Sequence, residues 1–476
     1  MPGTINDSTP LLGQNGSSDI HTYKRRWYIL TAFSLFAFTQ GAVWNTWGPI
    51  STTSEEVYDW QDSTIAWMSN WGPIAYILSG FFFFWLLQVK GLRWSVLSSS
   101  FLLAVGTVLR ILTSEPQTAT VLIHMGQFLC GMAGPIAMGS PALLSSVWFP
   151  PQERVTATSI GSSSGILGVA VSFIIGPAII DWYMDAFNRT HATNDVKTEV
   201  DQLAVAKALR INLEQQGISQ YMYYECAWSC SLFLLVLCYF PSKPDRPPSA
   251  SASMERSSYW SGLWSLRNKT YFLIVAFTYG VAGGVLNAWY SVLSVNLRPL
   301  GVSENKAGWI GFYSTVCSCL CALAVGRFAD QFVRRMKELI LLILVCSGLC
   351  FLVFSFMVSG TIHYSEAILY FTLIVGGSLI YAAVPLMFEL ACELAYPTSE
   401  GAANGMLTYL NNMGSMLFLL VLSFPDVGTT WMNWALTCSI FVCVPLIALL
   451  KAKFHRLEID EGLQSSVNAE LKIHIA

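Results

Sequence analysis

The sequence predicts an all-α membrane protein with twelve transmembrane helices, arranged as two six-helix repeats. Three observations lead to this prediction. Of the 476 residues, 54% are hydrophobic and only 12% are charged, whereas soluble domains carry about 25% charged residues. Apolar segments of about 20 residues, the length that crosses a bilayer, recur along the whole chain. The second half of the chain also repeats sequence features of the first half.

The predicted helices form two groups of six, and a segment rich in Pro, Ser and Arg separates the groups. In the first group we expect helices at 27–50, 63–88, 94–112, 119–148, 156–181 and 221–240. In the second group we expect helices at 270–297, 306–328, 338–358, 365–392, 402–424 and 432–450. The chain then divides into a cytosolic N-terminal tail (1–26), a first bundle (27–240), a cytosolic linker (241–269), a second bundle (270–450) and a cytosolic C-terminal tail (451–476).

Positive charge predicts the orientation of the bundle. An even number of helices places both termini on one side, and Lys and Arg concentrate in the cytosolic loops of membrane proteins. Placing the termini in the cytosol puts most of the 26 Lys and Arg residues on the cytosolic side. The sequon Asn188-Arg-Thr190 then lies in the outer loop between helices five and six, so Asn188 is the predicted glycosylation site.

The N-terminal tail contains a candidate sorting signal. The tail is polar and lacks the apolar core of a cleavable signal peptide. Within it, Asp7, Leu11 and Leu12 fit the acidic dileucine pattern D/E-x-x-x-L-L. Such a signal would bind clathrin adaptors and direct the protein to lysosomes, with part of the population at the plasma membrane. An incidental pair of leucines is the alternative.

The sequence argues against an enzyme. It holds no nucleotide-binding loop, no Ser–His–Asp spacing and no metal-ligand cluster, and the predicted cytosolic segments are too short to fold alone. The 12 Cys residues form no C-x-x-C pair, and we interpret them as packing residues. We therefore expect no catalytic residues, no cofactor, no metal site and no nucleic-acid partner. We expect a monomer that contacts the lipid bilayer and binds a small organic solute and protons.

Two cytosolic turns repeat between the halves. Phe149-Pro-Pro-Gln-Glu153-Arg154 follows helix four, and Tyr396-Pro-Thr-Ser-Glu400-Gly401 follows helix ten. After helix eight the chain reads Gly326-x-x-x-Asp330-x-x-x-Arg334-Arg335, whereas Gln88 stands at the equivalent place after helix two. Two parallel six-helix repeats joined by a linker describe the major facilitator superfamily, and the loop after helix eight resembles its signature.

The resemblance to this superfamily implies a gate at the cytosolic end. The family usually has Asp where this chain has Gln88, so we expect a charge lock in the second half only. Asp330 would cap or pair in that lock, and Arg334 would meet an acidic residue of helix ten or its turn when the cytosolic side is shut. The candidate gating residues are Asp330, Arg334, Glu393, Glu400, Glu153 and Arg154.

Three further stretches resemble solute carrier family 49 within this superfamily. They are Phe388-Glu389-x-x-x-Glu393-x-x-Tyr396-Pro397-x-x-Glu400-Gly401, Gln40-Gly-Ala-Val-Trp44-Asn45-Thr-Trp47-Gly48-Pro49 and Ala307-Gly308-Trp309-Ile-Gly311-Phe312. The resemblance covers all the predicted helices, and the family includes carriers of haem and choline. The dileucine pattern and the single outer glycosylation site are similar to a lysosomal branch of the family. That branch implies a proton-driven, electrogenic carrier with pyridoxine as substrate.

Polar and aromatic residues lie near the predicted midplane of the bundle, where such folds bind substrate. The candidates are Gln40, Trp44 and Asn45 of helix one, Gln127 of helix four, Tyr279, Asn287 and Tyr290 of helix seven, and Asn411 of helix eleven. Rings and amides suit a small flat or cationic solute by stacking, cation–π contact and hydrogen bonds. They suit a phosphate poorly, because it needs basic groups. The alternatives are interfacial belts for the aromatic residues and interhelical hydrogen bonds for the amides.

Glu389 and His124 are the candidates for proton coupling. Glu389 lies roughly 12 Å inside the cytosolic end of its helix by helical rise, and we expect it to be buried, to take a proton from the acidic lumen and to release it to the cytosol. His124 would titrate near lysosomal pH. A structural hydrogen bond is the alternative for both residues. Arg110 closes helix three, and we expect its side chain to extend toward the membrane surface.

The residues and the resemblance together predict a proton-coupled, electrogenic secondary transporter. It would move a small, pyridoxine-like organic metabolite across the lysosomal membrane by alternating access. A choline or haem carrier, as in other members of the family, is the first alternative. A non-transporting membrane receptor is the second, and it predicts a filled midplane instead of polar residues that face a cavity.

Overall fold

A computed structural model of the chain contains only helices and turns in the residues that it describes, which are 21–191, 199–246, 259–329, 335–395, 398, 400–424 and 427–450. The helices of the first half are α1 (Arg25–Trp44), α2 (Ser51–Tyr58), α3 (Asp62–Val89), α4 (Gly91–Arg110), α5 (Pro116–Gly131), α6 (Gly134–Gly139), α7 (Pro141–Trp148), α8 (Pro151–His191) and α9 (Glu199–Cys238). Those of the second half are α10 (Tyr259–Leu266), α11 (Thr270–Thr278), α12 (Gly284–Ser291), α13 (Leu293–Leu297), α14 (Glu304–Ala329), α15 (Met336–Val358), α16 (Glu366–Ala395), α17 (Glu400–Leu422) and α18 (Thr430–Ala448).

The all-helical membrane fold predicted from the sequence is confirmed. Within the described residues, 11 segments are long and apolar enough to cross a membrane. The remaining predicted crossing corresponds to α1, which packs along α8. These elements fill the place of each predicted helix, with differences at several ends.

Two boundaries differ from the prediction for physical reasons. The predicted helix 119–148 is divided into α5, α6 and α7, because Pro135 and Pro141 each occupy the first turn of a new helix, where a missing N–H costs nothing. The predicted loop 182–220 is largely helical, since α8 continues to His191 and α9 begins at Glu199. Asn188 therefore lies in the last turns of α8 and not in a loop.

Each half contains a broken helix, and both breaks lie at the same end of the bundle. In the first half α1 stops at Trp44, before the predicted end at residue 50, and Gly48-Pro49 follows in the turn that leads to α2. In the second half α12 stops at Ser291, and α13 follows. A π-helical turn at Tyr279–Gly283 joins α11 to α12. We call the end with these two breaks the outer end, and the opposite end, where α1 and α11 begin, the linker end.

Aromatic side chains cover the first bundle at the outer end. The rings of Trp47 and Trp60 have centroids 5.1 Å apart, and Tyr58 stacks on Trp60 at 5.0 Å. All three side chains are buried, and α2 packs against α9 beside them. The rings and α2 therefore shield the outer ends of the helices beneath them from water.

The two halves pack along two pairs of helices, α3 against α17 and α8 against α14. The hydroxyl of Tyr76 donates a hydrogen bond to Thr408 Oγ1 across the first pair, at 3.1 Å. At the outer end the two breaks touch, because a Cβ atom on Gly48 would lie 1.9 Å from the carbonyl oxygen of Ser291. Only glycine permits this approach of the two backbones.

Gly48→Ala is expected to destabilise the junction of the two breaks, because the added methyl group would overlap a backbone oxygen that has no rotamer to change. We expect a lower midpoint of thermal unfolding for the detergent-purified variant. Gly80→Ala is the matched control, since its Cβ would make ordinary contacts at 3.8 and 3.9 Å. If both variants unfolded at the same midpoint, the close contact between the two breaks would not contribute to the stability of the fold.

Candidate functional site

A cavity of about 290 Å³ lies between the two halves of the bundle. Helices α1, α3 and α8 supply much of its first-half wall, and α12, α14, α16 and α17 supply its second-half wall. The structure places seven of the eight predicted binding residues in its lining. They are Gln40, Trp44, Asn45, Tyr279, Asn287, Tyr290 and Asn411. Gln127 is the predicted residue that does not line the cavity.

The cavity is electrically neutral. Its lining, as far as the described residues define it, contains aromatic, amide, hydroxyl and aliphatic side chains and no Lys, Arg, His, Asp or Glu. On its linker side the lining reaches Met138 and Ser162, which are exposed, whereas Ser291 at the break of α12 is buried. The cavity therefore opens toward the linker end and is closed at the outer end. An anion would lose its hydration there without gaining a basic partner.

Trp44 and Asn45 form the first-half wall beside the break of α1. The indole Nε1 of Trp44 donates to the carbonyl oxygen of Ser69 at 3.2 Å, and Gly72 leaves room for the ring, since a Cβ there would lie 2.2 Å from Trp44 Nε1. Asn45 Nδ2 donates to Ser172 Oγ at 3.0 Å. Asn45 Oδ1 is buried and has no hydrogen-bond partner among the described residues. The first half thus holds a fixed ring next to a buried acceptor that has no partner within the described residues.

The second-half wall is a chain of hydrogen bonds across three helices. The hydroxyl of Tyr381 donates to Asn287 Oδ1, and Asn287 Nδ2 donates to Asn411 Oδ1 at 3.0 Å. Asn411 Nδ2 donates to the carbonyl oxygen of Tyr279 at 3.3 Å. Tyr290 donates to the carbonyl oxygen of Leu373 at 2.6 Å. The amide groups are used in hydrogen bonds within the wall, so this wall is rigid. Its aromatic rings provide the surface that a solute would contact.

Gln127 belongs to a buried polar cluster behind the first-half wall. Its Nε2 donates to the carbonyl oxygen of Trp44 at 2.9 Å, and its Oε1 accepts a hydrogen bond from Arg110. Arg110 also pairs with Glu225, with Nη1 and Oε2 3.1 Å apart. The expectation that Arg110 extends to the membrane surface is wrong: the side chain is fully buried, because a carboxylate within the bundle provides its partner.

The comparisons with known proteins agree with this architecture. Residues 28–419 match the sequence profile of the Major Facilitator Superfamily. The solute carrier family 49 member 4 homolog of Xenopus laevis is 35% identical over 455 residues, which cover 95% of this chain and 96% of that protein. The chain belongs to solute carrier family 49.

Two further similarities agree with this family assignment. The choline/ethanolamine transporter FLVCR1 of Mus musculus is 28% identical, over 92% of this chain and 77% of that protein. The solved structure of a D-xylose-proton symporter matches at a TM-score of 0.62 and 12% identity, over 90% of this chain and 98% of that chain. The second match supports the fold alone. As a major facilitator of family 49, the chain is a secondary transporter and not an enzyme.

The two proton-coupling candidates of this family 49 transporter lie outside the cavity lining. The expectation that Glu389 is buried is wrong, because it lies on an exposed face of α16. Its neighbour Phe388 lines the cavity, and one residue is a turn of about 100° on a helix. His124 is half-buried on α5 and accepts a hydrogen bond at Nδ1 from Trp71 Nε1 at 2.7 Å. No three His, Cys, Asp or Glu side chains of the described chain are grouped to hold a metal ion.

The predicted gate at the linker end is described only in part. Glu153 pairs with Arg26 at 2.9 Å within the first half, and Glu393 is buried on α16. Asp330 and Arg334, and the side chains of Arg154 and Glu400, lie outside the described residues, as do Asp7, Leu11, Leu12 and the side chain of Asn188. The gating, sorting and glycosylation roles of these residues stay predictions.

The outer end carries a charged lock between the halves that the sequence did not reveal. Arg298 of the second half lies 2.8 Å from Glu55 and 3.1 Å from Asp62 of the first half. Its partners are more than 230 residues away along the chain, so no local pattern marks the lock.

A second contact of the lock joins Glu304 to the start of α2. Glu304 accepts hydrogen bonds from the backbone N–H groups of Thr52 and Thr53 and, at 2.8 Å, from the Thr53 hydroxyl. The first N–H groups of a helix lack partners within it, so a carboxylate of the second half caps a helix of the first.

Glu55 makes the outer lock sensitive to pH. Its carboxyl is largely buried, and Oε1 has no partner within the described chain. Burial raises the pKa of Glu55 from its ordinary 4.5 to about 7, against the opposing effect of Arg298. The folded protein therefore binds this proton more tightly than the unfolded chain does. The stabilisation is complete below the ordinary pKa and is lost as the pH rises through about 7.

The thermal midpoint of the wild-type protein is expected to fall between about pH 5 and pH 8 by more than that of Glu55→Gln, whose amide does not titrate. One group contributes at most about 1.4 kcal/mol per pH unit. Glu56→Gln is the matched control, because this neighbouring side chain is 43% exposed and its variant should follow the wild-type curve. Parallel curves for the wild type and Glu55→Gln would contradict the raised pKa.

Proposed function

We propose that this chain is a proton-coupled, electrogenic transporter that moves a pyridoxine-like metabolite out of lysosomes by alternating access. The observation that carries the proposal is the neutral cavity of about 290 Å³ with walls of aromatic rings and amides. Sites for small organic molecules are concave, mostly apolar and furnished with a few fixed polar groups. A solute with one aromatic ring fits this volume and can stack on Trp44.

Asn45 supports a solute that donates a hydrogen bond. Its Nδ2 donates to Ser172, whereas its Oδ1 is buried and has no protein donor in the described chain, so a solute reaches this oxygen only when the wall shifts during the transport cycle. A buried acceptor without a partner costs about 1–3 kcal/mol. A hydroxyl group of pyridoxine, or its protonated ring nitrogen, would remove that cost on binding.

Choline is the second candidate. A relative of the chain is named a choline/ethanolamine transporter, and the rings of Trp44, Tyr279 and Tyr290 can hold a quaternary ammonium group by cation–π contact. The trimethylammonium group of choline has no N–H, so only its hydroxyl could satisfy Asn45. Haem is disfavoured because the described lining of the cavity contains no His or Cys that could bind its iron. A receptor with a filled midplane is disfavoured by the cavity itself.

The lysosomal location and cytosolic termini belong to the same proposal. They are supported by the concentration of Lys and Arg at the linker end and by the Asp7, Leu11 and Leu12 signal, which clathrin adaptors would bind. Asn188, near the outer end of α8, would then carry a glycan in the lumen.

Replacing Leu11 and Leu12 with Ala is expected to move the protein from lysosomes to the plasma membrane, because an adaptor would lose its apolar anchors. Surface biotinylation and microscopy measure the shift in full-length protein. Ser8→Ala is the control within the same tail, and it should leave the location unchanged. A dileucine variant that stays in lysosomes would contradict the sorting role.

Asn45→Ala is expected to raise the KM for pyridoxine by roughly tenfold, the equivalent of one hydrogen bond to a buried acceptor. Uptake of radiolabelled pyridoxine is measured at acidic outer pH in cells that carry the surface-directed form. Asn212→Ala, at an exposed position of α9, is the control and should behave as the wild type. Absence of pyridoxine uptake by the wild type would reject this substrate, and saturable uptake of choline in its place would favour the second candidate.

A further inference from the structure

We propose that the coupling proton binds to Glu225 in the buried Arg110–Glu225 pair of the first bundle, an inference that rests on the proposed proton-driven transport. The pair lies behind the cavity wall, with Nη1 and Oε2 3.1 Å apart. Ionisable residues within a membrane-spanning bundle are costly and mark ion or proton sites. A buried ion pair is also weak evidence of stabilisation, because desolvation offsets the attraction.

The surroundings of Glu225 balance its charge with a single cation. The charged and titratable groups that face it are Arg110 of α4, Cys130 of α5 and Tyr221 of its own helix. Arg110 is the only one of these with a permanent charge, since guanidinium does not lose its proton in proteins. The side chain of Arg110 is 0% accessible and that of Glu225 is 8% accessible. The carboxylate is thus the member of the pair that a proton can reach.

Thr46 connects the charge of Glu225 to the broken end of α1. Its hydroxyl oxygen lies 2.7 Å from Glu225 Oε1 and 2.9 Å from the carbonyl oxygen of Val43. The hydroxyl has one proton, which can serve only one of these two acceptors. While Glu225 is ionised, the negative charge on its carboxylate attracts the Thr46 hydroxyl proton. Once Glu225 is protonated, its own O–H donates to Thr46, and the Thr46 proton turns to Val43.

Arg110 and Gln127 complete the connection to the cavity. Arg110 Nη2 donates to the carbonyl oxygen of Val43 at 3.3 Å, and Gln127 Nε2 donates to that of Trp44 at 2.9 Å. These carbonyls belong to the last turn of α1, where helical carbonyls lack intrahelical partners and attract cations. The next side chains along the chain are those of Trp44 and Asn45, which line the cavity.

The proton step is a simple binding equilibrium. A proton adds to the Glu225 carboxylate and forms a carboxylic acid, while Arg110 keeps its charge and its hydrogen bonds to Gln127 and Val43. The bundle then carries one net positive charge, which makes translocation electrogenic. Re-pairing of Glu225 with Arg110 releases the proton on the other side. Glu389 is the less suitable carrier, because it lies on an exposed face outside the cavity lining.

The experiment uses full-length protein in liposomes with the membrane potential clamped at zero. Two processes are measured with radiolabelled pyridoxine: counterflow without a pH gradient and accumulation driven by a pH gradient. One coupled proton supports up to about tenfold accumulation per pH unit. Glu225→Gln is expected to retain counterflow and lose the accumulation, whereas Glu225→Asp, which titrates, should retain both.

Glu214→Gln is the matched control, since Glu214 is a second buried acid on α9 that pairs with Arg210. It should accumulate pyridoxine as the wild type does. Undiminished accumulation by Glu225→Gln would overturn the inference, and so would loss of counterflow in a monodisperse variant, which would assign the pair a structural role. Counterflow without accumulation in the wild type would instead reject the proton coupling in the proposed function.

Discussion

The broken ends of α1 and α12 impose the constraint on which the rest of this structure depends. Backbone polar groups inside a membrane must find partners within the protein, and a helix that stops there exposes several carbonyls. In the first half, Arg110 and Gln127 bind the carbonyls of Val43 and Trp44. A permanent charge in that position requires a buried counter-charge, and Glu225 supplies it.

The second half holds its broken helix with uncharged side chains. Trp289 Nε1 and Asn296 Nδ2, on the two sides of the break after α12, both donate to Asn433 Oδ1 at 2.9 Å. The two repeats therefore share a broken helix but differ in chemistry, since one uses an ion pair and the other an amide. Because of this asymmetry, the buried carboxyl group of Glu225 lies behind the first-half wall, whereas the second half forms a rigid aromatic surface.

The sequence was sufficient for the membrane fold and for most of the cavity wall, but not for the contacts behind it. The length of an apolar segment predicts a membrane-spanning helix, and the distance of a residue from the helix end predicts its depth in the membrane. Trp44 and Asn411 could therefore be placed near the midplane. Neither quantity gives the rotation of a helix about its axis. Gln127 and Glu389 have suitable depth, yet Gln127 faces the interior of its bundle, whereas Glu389 lies on an exposed face of its helix.

Contacts between residues that are distant in the chain could not be predicted from the sequence either. Arg110 and Glu225 are separated by 115 residues, and an arginine at a helix end is more often a surface residue than half of a buried pair. The cap of α2 by Glu304 is a contact between halves with a separation of more than 250 residues. Such contacts follow from how the bundles dock, which hydropathy and periodicity do not encode.

The outer lock is weak enough to be reversed in each transport cycle. Arg298 is 38% exposed and Asp62 is 41% exposed, and such an exposed ion pair contributes at most about 1 kcal/mol. A few kcal/mol of differential binding are enough to exchange the major and minor states of such an equilibrium. Because burial in the lock raises the pKa of Glu55 to about 7, a proton from an acidic compartment strengthens the closed outer end. Acid at the outer side would therefore favour the conformation in which the cavity opens toward the linker end, which is the direction that the proposed export from lysosomes requires.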